Sequence, residues 1–468
     1  MTLSKPLLIS GATFLVALAG AQDQLTPPIQ PKVAPLVTPP VITLPVPPGP
    51  LAVPQTPITA EDAGRIALLH QPQIKIAQAS ILAAHGNVLV AAQALIPNVG
   101  ITFGYNKLVT AADFGGSPPT TLQGNGTVTG NGTNSGTGWS AQFTLTQLLF
   151  DFGKTIDQVR QAELSQKAAE FALTASQSDS VYQVKQDFYA YAQAQGQVTV
   201  AEENLKDRQD NLALAQARLN SGLGAPGDVV TAQTNLDSSE LTLITNRNSN
   251  EIAEVKLALD MGVDPRTPIT TGPSKERPIP NQDVNVLANQ ALKTRPEVKQ
   301  QEALIRSAGY QVSAAQKGLL PTINIVGTAE EDPFITPTPR TSEVTLELLW
   351  NPLDILGTRG QTEIARASLL TSKQNLIQAS QTVISDVSQA FLNLKYAEES
   401  LTTAQTEITN AQEGLRIAEG QYKAGVATFV TVEDAEANLA QARSDVVNAE
   451  EANELALSQM EHALGQSL

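Results

Sequence analysis

The sequence predicts a mainly α-helical protein with a small β part, in which one long helical hairpin occurs twice. The first observation is a row of apolar residues spaced by seven between positions 184 and 219. The same row returns between positions 387 and 422, each residue 203 positions after its counterpart. Apolar residues at this spacing mark one side of a long supercoiled helix. A glycine, Gly222 or Gly425, and a second helical run follow each row, so each copy predicts two helices joined by a turn. The two rows are Val184, Tyr191, Val198, Leu205, Leu212 and Leu219, and Val387, Leu394, Leu401, Ile408, Leu415 and Tyr422.

The beginning of the chain predicts export. Residues 1–21 combine a basic residue, an apolar stretch and a final Ala-Gly-Ala, which is the pattern of a secretory signal peptide. Residues 22–57 are rich in proline and predict an extended spacer. Two structural repeats are expected after the spacer, at 58–275 and 276–468. No later stretch is expected to form a transmembrane helix, so any membrane insertion is expected to use strands.

Composition excludes several classes of function. The formal net charge of −16 argues against nucleic acid, which requires a basic surface. The chain has no cysteine and can hold neither a disulfide nor a Cys-ligated metal. His70, His85 and His462 are scattered without the spacing of metal ligands. No Gly-rich phosphate loop and no nucleophile paired with an acid is found. We therefore predict no enzyme activity, no cofactor and no metal site.

Each hairpin is preceded by a helical segment and two strands. Segments 67–97 and 291–321 match each other at a constant offset of 224, and both end in a proline. Directly after each proline the apolar period changes to two, which predicts strands with one apolar and one polar face. The sequence thus predicts four strands, two per repeat. The residues predicted to face lipid are Val99, Ile101, Phe103, Phe143, Leu145, Ile323, Ile325, Val344, Leu346 and Leu348.

The same alternation is also typical of soluble hairpins that cover a core. That alternative is weakened because no amphipathic element is left over to cover the apolar faces. A lipid-facing strand has the same pattern. Four strands do not close a barrel, since the smallest single-chain barrels have about eight, and an open edge in lipid leaves backbone groups without partners. If these strands span a membrane, the protein must therefore be an oligomer that pools them.

The helices after the strands are too long for a membrane. Residues 154–220 and 361–424 predict helices on the order of 100 Å long, against a hydrocarbon core of roughly 30 Å. They must therefore project into water, and the periplasm is the expected space. The return helices are expected at 228–260 and 432–464. Rows of alanine beside the apolar row suit a single layer of helices that approach closely.

The hairpin turns and the strand-to-helix junctions carry a resemblance to a known family. The turns at 217–232 and 421–439, and the junctions LLFDFG at 148–153 and LLWNP at 348–352, resemble those of the outer-membrane factor family, the TolC-like efflux and secretion channels. The likeness covers nearly the whole chain after the spacer. It implies a homotrimer whose chains, with four strands each, form a twelve-stranded barrel in outer-membrane lipid and a periplasmic helical tunnel.

The resemblance also implies partners and site residues. The partners are a periplasmic adaptor, which meets the turns at Gly222 and Gly425, and an inner-membrane transporter. Such a protein is the passive channel of a tripartite efflux or type I secretion system.

At the periplasmic entrance, Asp228 and Tyr422 match a family aspartate and tyrosine that hydrogen-bond to an arginine in the closed state. Ala427 stands at the arginine position and has no group that could pair. Asp434 matches a ring of acids lining the entrance, while the companion acidic position holds Thr431. The resemblance therefore implies a gate at Asp228, Tyr422 and Asp434 whose closing network differs from that of the family.

Two other classes of function compete with the channel. One is a structural or adhesive trimeric coiled-coil stalk, which would not need duplicated strand pairs between its helices. The other is a soluble periplasmic helical scaffold, which predicts no lipid-facing strands. A membrane-extracted trimer favours the channel, and a soluble monomer favours the scaffold.

Overall fold

The described part of the chain belongs to one compact unit. The computed structural model describes residues 57–107, 137–272, 283–331 and 340–466. The chain divides into two units, residues 1–47 and 48–468, and all described residues lie in the second. The signal peptide and nearly all of the Pro-rich spacer lie outside the described residues, so both remain predictions.

The order of elements repeats once along the chain. Two short helices, two strands, a very long helix and a return helix follow one another, and then the same six elements recur. This recurrence agrees with a duplication, while the exact repeat boundaries at 58–275 and 276–468 stay a prediction. The first set is α1 (Ala60–His70), α2 (Pro72–Ala92), β1 (Asn98–Lys107), β2 (Thr137–Phe150), α3 (Lys154–Asn220) and α4 (Pro226–Asp260). The second set is α5 (Val284–Thr294), α6 (Pro296–Gln316), β3 (Thr322–Glu331), β4 (Arg340–Leu349), α7 (Ile355–Lys423) and α8 (Phe429–Ala463).

The two long helices confirm the prediction from the heptad rows. Helix α3 has 67 residues and α7 has 69, so each is on the order of 100 Å long. Helix α7 begins at Ile355, six residues before the predicted start at 361. All twelve residues of the two rows are buried or half-buried. The periodic pattern therefore identified the packed side of both helices.

The sequence suggested one helical segment before each pair of strands, but the structure has two helices there. In the first repeat the backbone is extended at Gln71, with φ −60° and ψ 121°, and α2 starts at Pro72. Proline disfavours a helical conformation in the residue before it and is well suited to the first helical position. The same break occurs at Arg295, before Pro296. Each segment is therefore a short helix followed by one of 21 residues.

The helices pack side by side in one layer. Helix α3 contacts α2 and α4, and it also contacts α6 and α8. Helix α7 contacts α6 and α8. The buried residues of these contacts are largely alanines and valines, which allow close approach of the helix axes. Helices α2 and α4 thus occupy one edge of the layer, and α7 occupies the other.

One helix in the described part of the chain is long and apolar enough to cross a membrane by length and composition. It is the segment Pro72–Leu95, and 6% of its 18-residue apolar window is buried. The expectation that no stretch after the N-terminus has this character was therefore wrong. Its apolar residues lie around the whole helix, and Lys75 is its one Lys, Arg, Asp or Glu residue. The segment lies at an edge of the layer, where it packs mainly on α3.

The four strands form one antiparallel sheet in the order β1-β2-β3-β4. The register is continuous between β1 and β2 and between β3 and β4, and a bulge interrupts β2 between Leu148 and Phe150. Within the described residues, β1 and β4 each have one neighbouring strand. Among the described residues, the sheet of one chain therefore has two open edges.

Candidate functional site

Both helical hairpins end in a glycine turn of the same geometry. Gly222 and Gly425 have φ of +71° and +74°, in the left-handed region that other residues rarely adopt. In each turn the residue after the glycine donates its N–H to a carbonyl of the last helical turn, at 2.9 and 3.0 Å, which closes the helix end. A Cβ at either position would meet nothing within 4 Å. Backbone conformation, rather than lack of space, therefore requires glycine at both turns.

An apolar cluster joins the two hairpins beside these turns. It contains residues of α3, α4, α7 and α8, and alanine is its commonest member. Tyr422 is 3% exposed, and its ring lies 5.6 Å from that of Phe429. Tyr422 therefore lies where both hairpins meet, not on the surface of its own. The buried members are Ala215, Ala232, Ala418, Tyr422, Phe429 and Val432.

Side chains of the first hairpin hold Tyr422 in this cluster. The guanidinium of Arg218 lies 4.2 Å from the centre of the Tyr422 ring, and its Nη1 donates to the Tyr422 carbonyl oxygen at 2.8 Å. The Tyr422 hydroxyl donates to Oδ2 of Asp228 at 3.5 Å, the long limit for a hydrogen bond. The structure thus brings two predicted gate residues together.

Arg218 is the residue that sequence reasoning missed. Its only signal is its place in the last turn of α3, where a basic side chain complements the helix dipole. Nothing in the sequence pairs it with a tyrosine 204 positions later. Ala427 is half-buried, and its side chain offers no polar group. Arg218 therefore provides a cation at Tyr422, although Ala427 stands at the position that the resemblance assigns to an arginine.

The electrostatics favour a neutral Tyr422 phenol. Burial raises the pKa of Tyr422, and the nearby Asp228 carboxylate raises it further, while Arg218 opposes the change. A phenol that keeps its proton can donate to Asp228. The contact is therefore a neutral donor facing a carboxylate, with a guanidinium stacked on the ring.

Asp434, the third predicted gate residue, lies apart from this contact. It is exposed near the start of α8. Its neighbour Glu433 is buried, since successive side chains lie about 100° apart around a helix. Asp434 therefore presents its carboxylate to the surface while Glu433 points into the helix layer.

All ten residues predicted to face lipid lie on one face of the sheet. The register pairs Ile101 with Phe143 and Val99 with Leu145, and it pairs Ile323 with Leu348 and Ile325 with Leu346. Directly paired residues point to the same face of a sheet. Most of these side chains are exposed, with Phe103 and Val344 at 75% and 78%.

The opposite face is polar. It carries Thr102, Thr144, Asn324 and Glu347 among other polar residues. In the described chain the strands pack mainly against one another and against the short turn after α2. No described element therefore covers the apolar face.

The described residues include no group of three or more His, Cys, Asp or Glu side chains that could hold a metal ion. The contacts at the hairpin ends bind the two hairpins to each other. The arrangement is suited to holding helices together or releasing them.

Comparison with known proteins identifies a family that matches most of the chain. The family model for outer membrane efflux proteins matches residues 64–263 and 287–466. The chain is 25% identical over 290 residues to Protein CyaE of Bordetella pertussis, covering 60% of this chain and 61% of that protein. It is 26% identical over 353 residues to the outer membrane efflux protein BepC of Brucella suis, covering 74% of this chain and 72% of BepC.

The solved structure of VceC, an outer membrane protein of Vibrio cholerae, has the same fold. It superposes with a TM-score of 0.73 at 18% identity, covering 87% of this chain and 96% of VceC. The predicted fold class, long helical hairpins with a four-stranded contribution to a barrel, is confirmed.

Proposed function

The chain belongs to the outer membrane efflux protein family, and we propose that it is the passive duct of a tripartite efflux or type I secretion system. Three copies form a channel in the outer membrane that extends into the periplasm. There it meets a periplasmic adaptor coupled to an inner-membrane transporter, and an N-terminal signal peptide directs its export. The duct itself performs no catalysis and needs no cofactor, metal or nucleic acid. The observation that carries the proposal is a sheet with one uncovered apolar face, joined to helices on the order of 100 Å long.

The sheet favours an assembly with other copies of the chain. In the described chain, strands β1 and β4 have open edges. Each unpaired backbone group that enters hydrocarbon costs about 4–8 kcal/mol. Pairing β4 of one copy with β1 of the next removes both edges. Three copies with four strands each close a barrel whose apolar face contacts lipid and whose polar face lines the bore.

The helices point to the same arrangement. Helix α7 exposes Leu370, Ile377 and Ile384, a second row spaced by seven. The opposite edge exposes Leu82 and Leu89 on α2, also seven apart. Contact between these two different surfaces on neighbouring copies is head-to-tail, and such contacts form a ring when the rotation between copies completes a circle. The apolar character of α2 is thereby explained as an interface between subunits.

The hairpin ends supply the entrance of the duct. Asp228 and Tyr422 hold the two hairpins together there, and Asp434 places a carboxylate of each subunit on the entrance surface. The turns at Gly222 and Gly425 are the surface that meets the adaptor. Opening requires the contacts around Tyr422 to separate.

The test uses the full chain with its own N-terminus in a bacterium with two membranes. We expect a detergent-extracted trimer in the outer-membrane fraction, and ion conductance after reconstitution in planar bilayers. A soluble monomer would overturn the proposal and favour the periplasmic scaffold. A trimer in the soluble fraction without conductance would favour the stalk.

A matched pair of variants tests the lipid-facing sheet. Phe143→Arg places a charge on the apolar face near the middle of β2 and should abolish assembly, because an arginine near the bilayer midplane costs roughly 2–4 kcal/mol per site. Thr144→Arg places the same residue on the opposite face of the same strand and should assemble. Normal assembly of Phe143→Arg would contradict insertion of this face in lipid.

A further inference from the structure

A buried polar cluster joins the two hairpins along the helices, a few turns away from the glycine turns. We call it the Arg208 cluster. Nη1 of Arg208 on α3 donates to Oε2 of Glu436 at 2.7 Å and also to Oε2 of Glu433. Asn211 on α3 donates to Oε1 of Glu436, and Asn235 on α4 donates to Oε2 of Glu433. The cluster thus connects α8 of the second hairpin to both helices of the first.

The charges in the Arg208 cluster do not balance. It holds one guanidinium and two carboxyl groups, with Glu433 and Glu436 only 9% and 6% exposed. Oε1 of Glu433 is buried and has no hydrogen-bond partner in the described structure. A buried carboxylate without a counter-charge is costly, and it is relieved when the group takes a proton.

The surrounding charged groups make the imbalance worse. The negative charges of Asp207 on α3 and Glu419 on α7 raise the pKa of Glu436 further, and the charge of the exposed Asp434 raises the pKa of Glu433. Asp207 is already paired with Arg443 at 2.6 Å, and Glu419 is paired with Lys423 at 2.9 Å. Among the described residues, Arg208 is the cation that pairs with both Glu433 and Glu436.

Burial raises the pKa of Glu436 to about 8, and Arg208 only partly offsets this effect. Burial also raises the pKa of Glu433. The two groups lie one helical turn apart on α8, so they titrate as a pair.

We propose that Glu433 and Glu436 together hold one proton at neutral pH and that this proton ties α8 to the first hairpin. With the proton the cluster is neutral, and without it a net negative charge is buried between the hairpins. The proton therefore favours joined hairpin ends, and its loss favours separation. Only the consequence for conduction rests on the proposed channel function, since the tie itself is a property of the folded chain.

The sign and size follow from linkage. The ordinary pKa of a Glu is 4.5 and that of Glu436 is about 8, so the stabilisation is complete below the first value and is lost as pH rises through the second. If separation restores ordinary solvation, the ratio of separated to joined ends in each subunit should rise about tenfold between roughly pH 7 and pH 9.

Spin labels measure this ratio directly, because the natural chain has no cysteine to interfere. Cysteines replacing Gln209 on α3 and Asn438 on α8, both exposed, are labelled in the purified full chain, and their separation is measured from about pH 6 to pH 9.5. In the otherwise wild-type chain, the ratio of separated to joined ends should rise about tenfold between roughly pH 7 and pH 9. Glu436→Gln, or Glu433→Gln if the first variant does not fold, should abolish the rise.

Two control variants locate the effect. Glu413→Gln alters an exposed pair with Arg416 on α7 and should keep the wild-type rise. Glu451→Gln alters another carboxyl group of α8, whose pKa burial raises to about 7, and should also keep it. A wild-type ratio that does not change with pH, or a rise that persists in both Glu433→Gln and Glu436→Gln, overturns the proposal.

Bilayer conductance separates this proposal from the proposed function. If the wild-type chain conducts, its open probability should rise with pH, and Glu436→Gln should remove the rise. A chain without conductance at any pH would overturn the channel function, while the label distances would still decide whether the proton tie exists.

Discussion

Arg218 holds the end of α7 through two contacts that a single substitution removes. Its guanidinium stacks on the Tyr422 ring at 4.2 Å and donates to the Tyr422 carbonyl oxygen at 2.8 Å. A cation–π contact is worth about 0.5–2 kcal/mol, depending on exposure, and a hydrogen bond from a charged group about 1.5–3 kcal/mol. Arg218→Ala should therefore cost about 3 kcal/mol in each subunit, or a factor of about 100 in the ratio of joined to separated hairpin ends.

Single-channel conductance in planar bilayers measures this change. Arg218→Ala should give larger or longer openings than wild type. Arg218→Lys keeps the charge but loses the planar stacking group, so we expect an intermediate result. Arg416→Ala is the matched control, because Arg416 is an exposed residue that pairs with Glu413 within α7.

A double-mutant cycle decides whether Arg218 acts through Tyr422. Tyr422→Leu removes the ring and its hydroxyl, and adding Arg218→Ala to it should change conductance by less than Arg218→Ala does in wild type. Wild-type conductance in an intact Arg218→Ala trimer would refute the reasoning. Full additivity of the two substitutions would show that Arg218 acts elsewhere.

Two further substitutions test the hairpin turns and the entrance charge. Gly425→Ala places a Cβ on a backbone with φ +74°, at a cost of about 1–2 kcal/mol, and should lower the thermal midpoint of the trimer. Gly414→Ala, within α7, should not lower it. Equal midpoints for the two variants would contradict backbone strain at Gly425. Asp434→Ala should reduce the cation preference measured by reversal potential, because carboxylates around a narrow axis attract cations. An unchanged reversal potential would remove Asp434 from the lining of the pore.

Periodic patterns predicted the long elements well because one face of each is buried. The prediction of a helix at 154–220 coincides with α3 (Lys154–Asn220), and the alternating residues were correctly placed on four strands. Local chemistry that overrides the pattern was harder to predict. Pro72 breaks the helix predicted over 67–97, although the apolar residues continue through it.

The contacts at the hairpin ends could not be predicted, because they join residues about 200 positions apart. Arg218 and Tyr422 are separated by 204 positions, and Arg208 and Glu436 by 228. Neither pair occupies equivalent positions in the two repeats. A charged residue near a turn is usually solvated, so the sequence alone favours a surface role for each of them.

The two hairpins have similar helices, but they differ in whether buried carboxyl groups lie on the return helix. At the offset of 203, Glu433 and Glu436 correspond to Val230 and Gln233 on α4. These two residues are exposed, whereas both glutamates are buried. The difference arises because α4 lies at an edge of the helix layer, while α8 lies between α3 and α7. Positions that are on the surface in one repeat are internal in the other, and there they carry carboxyl groups. The two repeats thus share one scaffold, and the carboxyl groups proposed to hold the proton stand at these positions in α8 and not in α4.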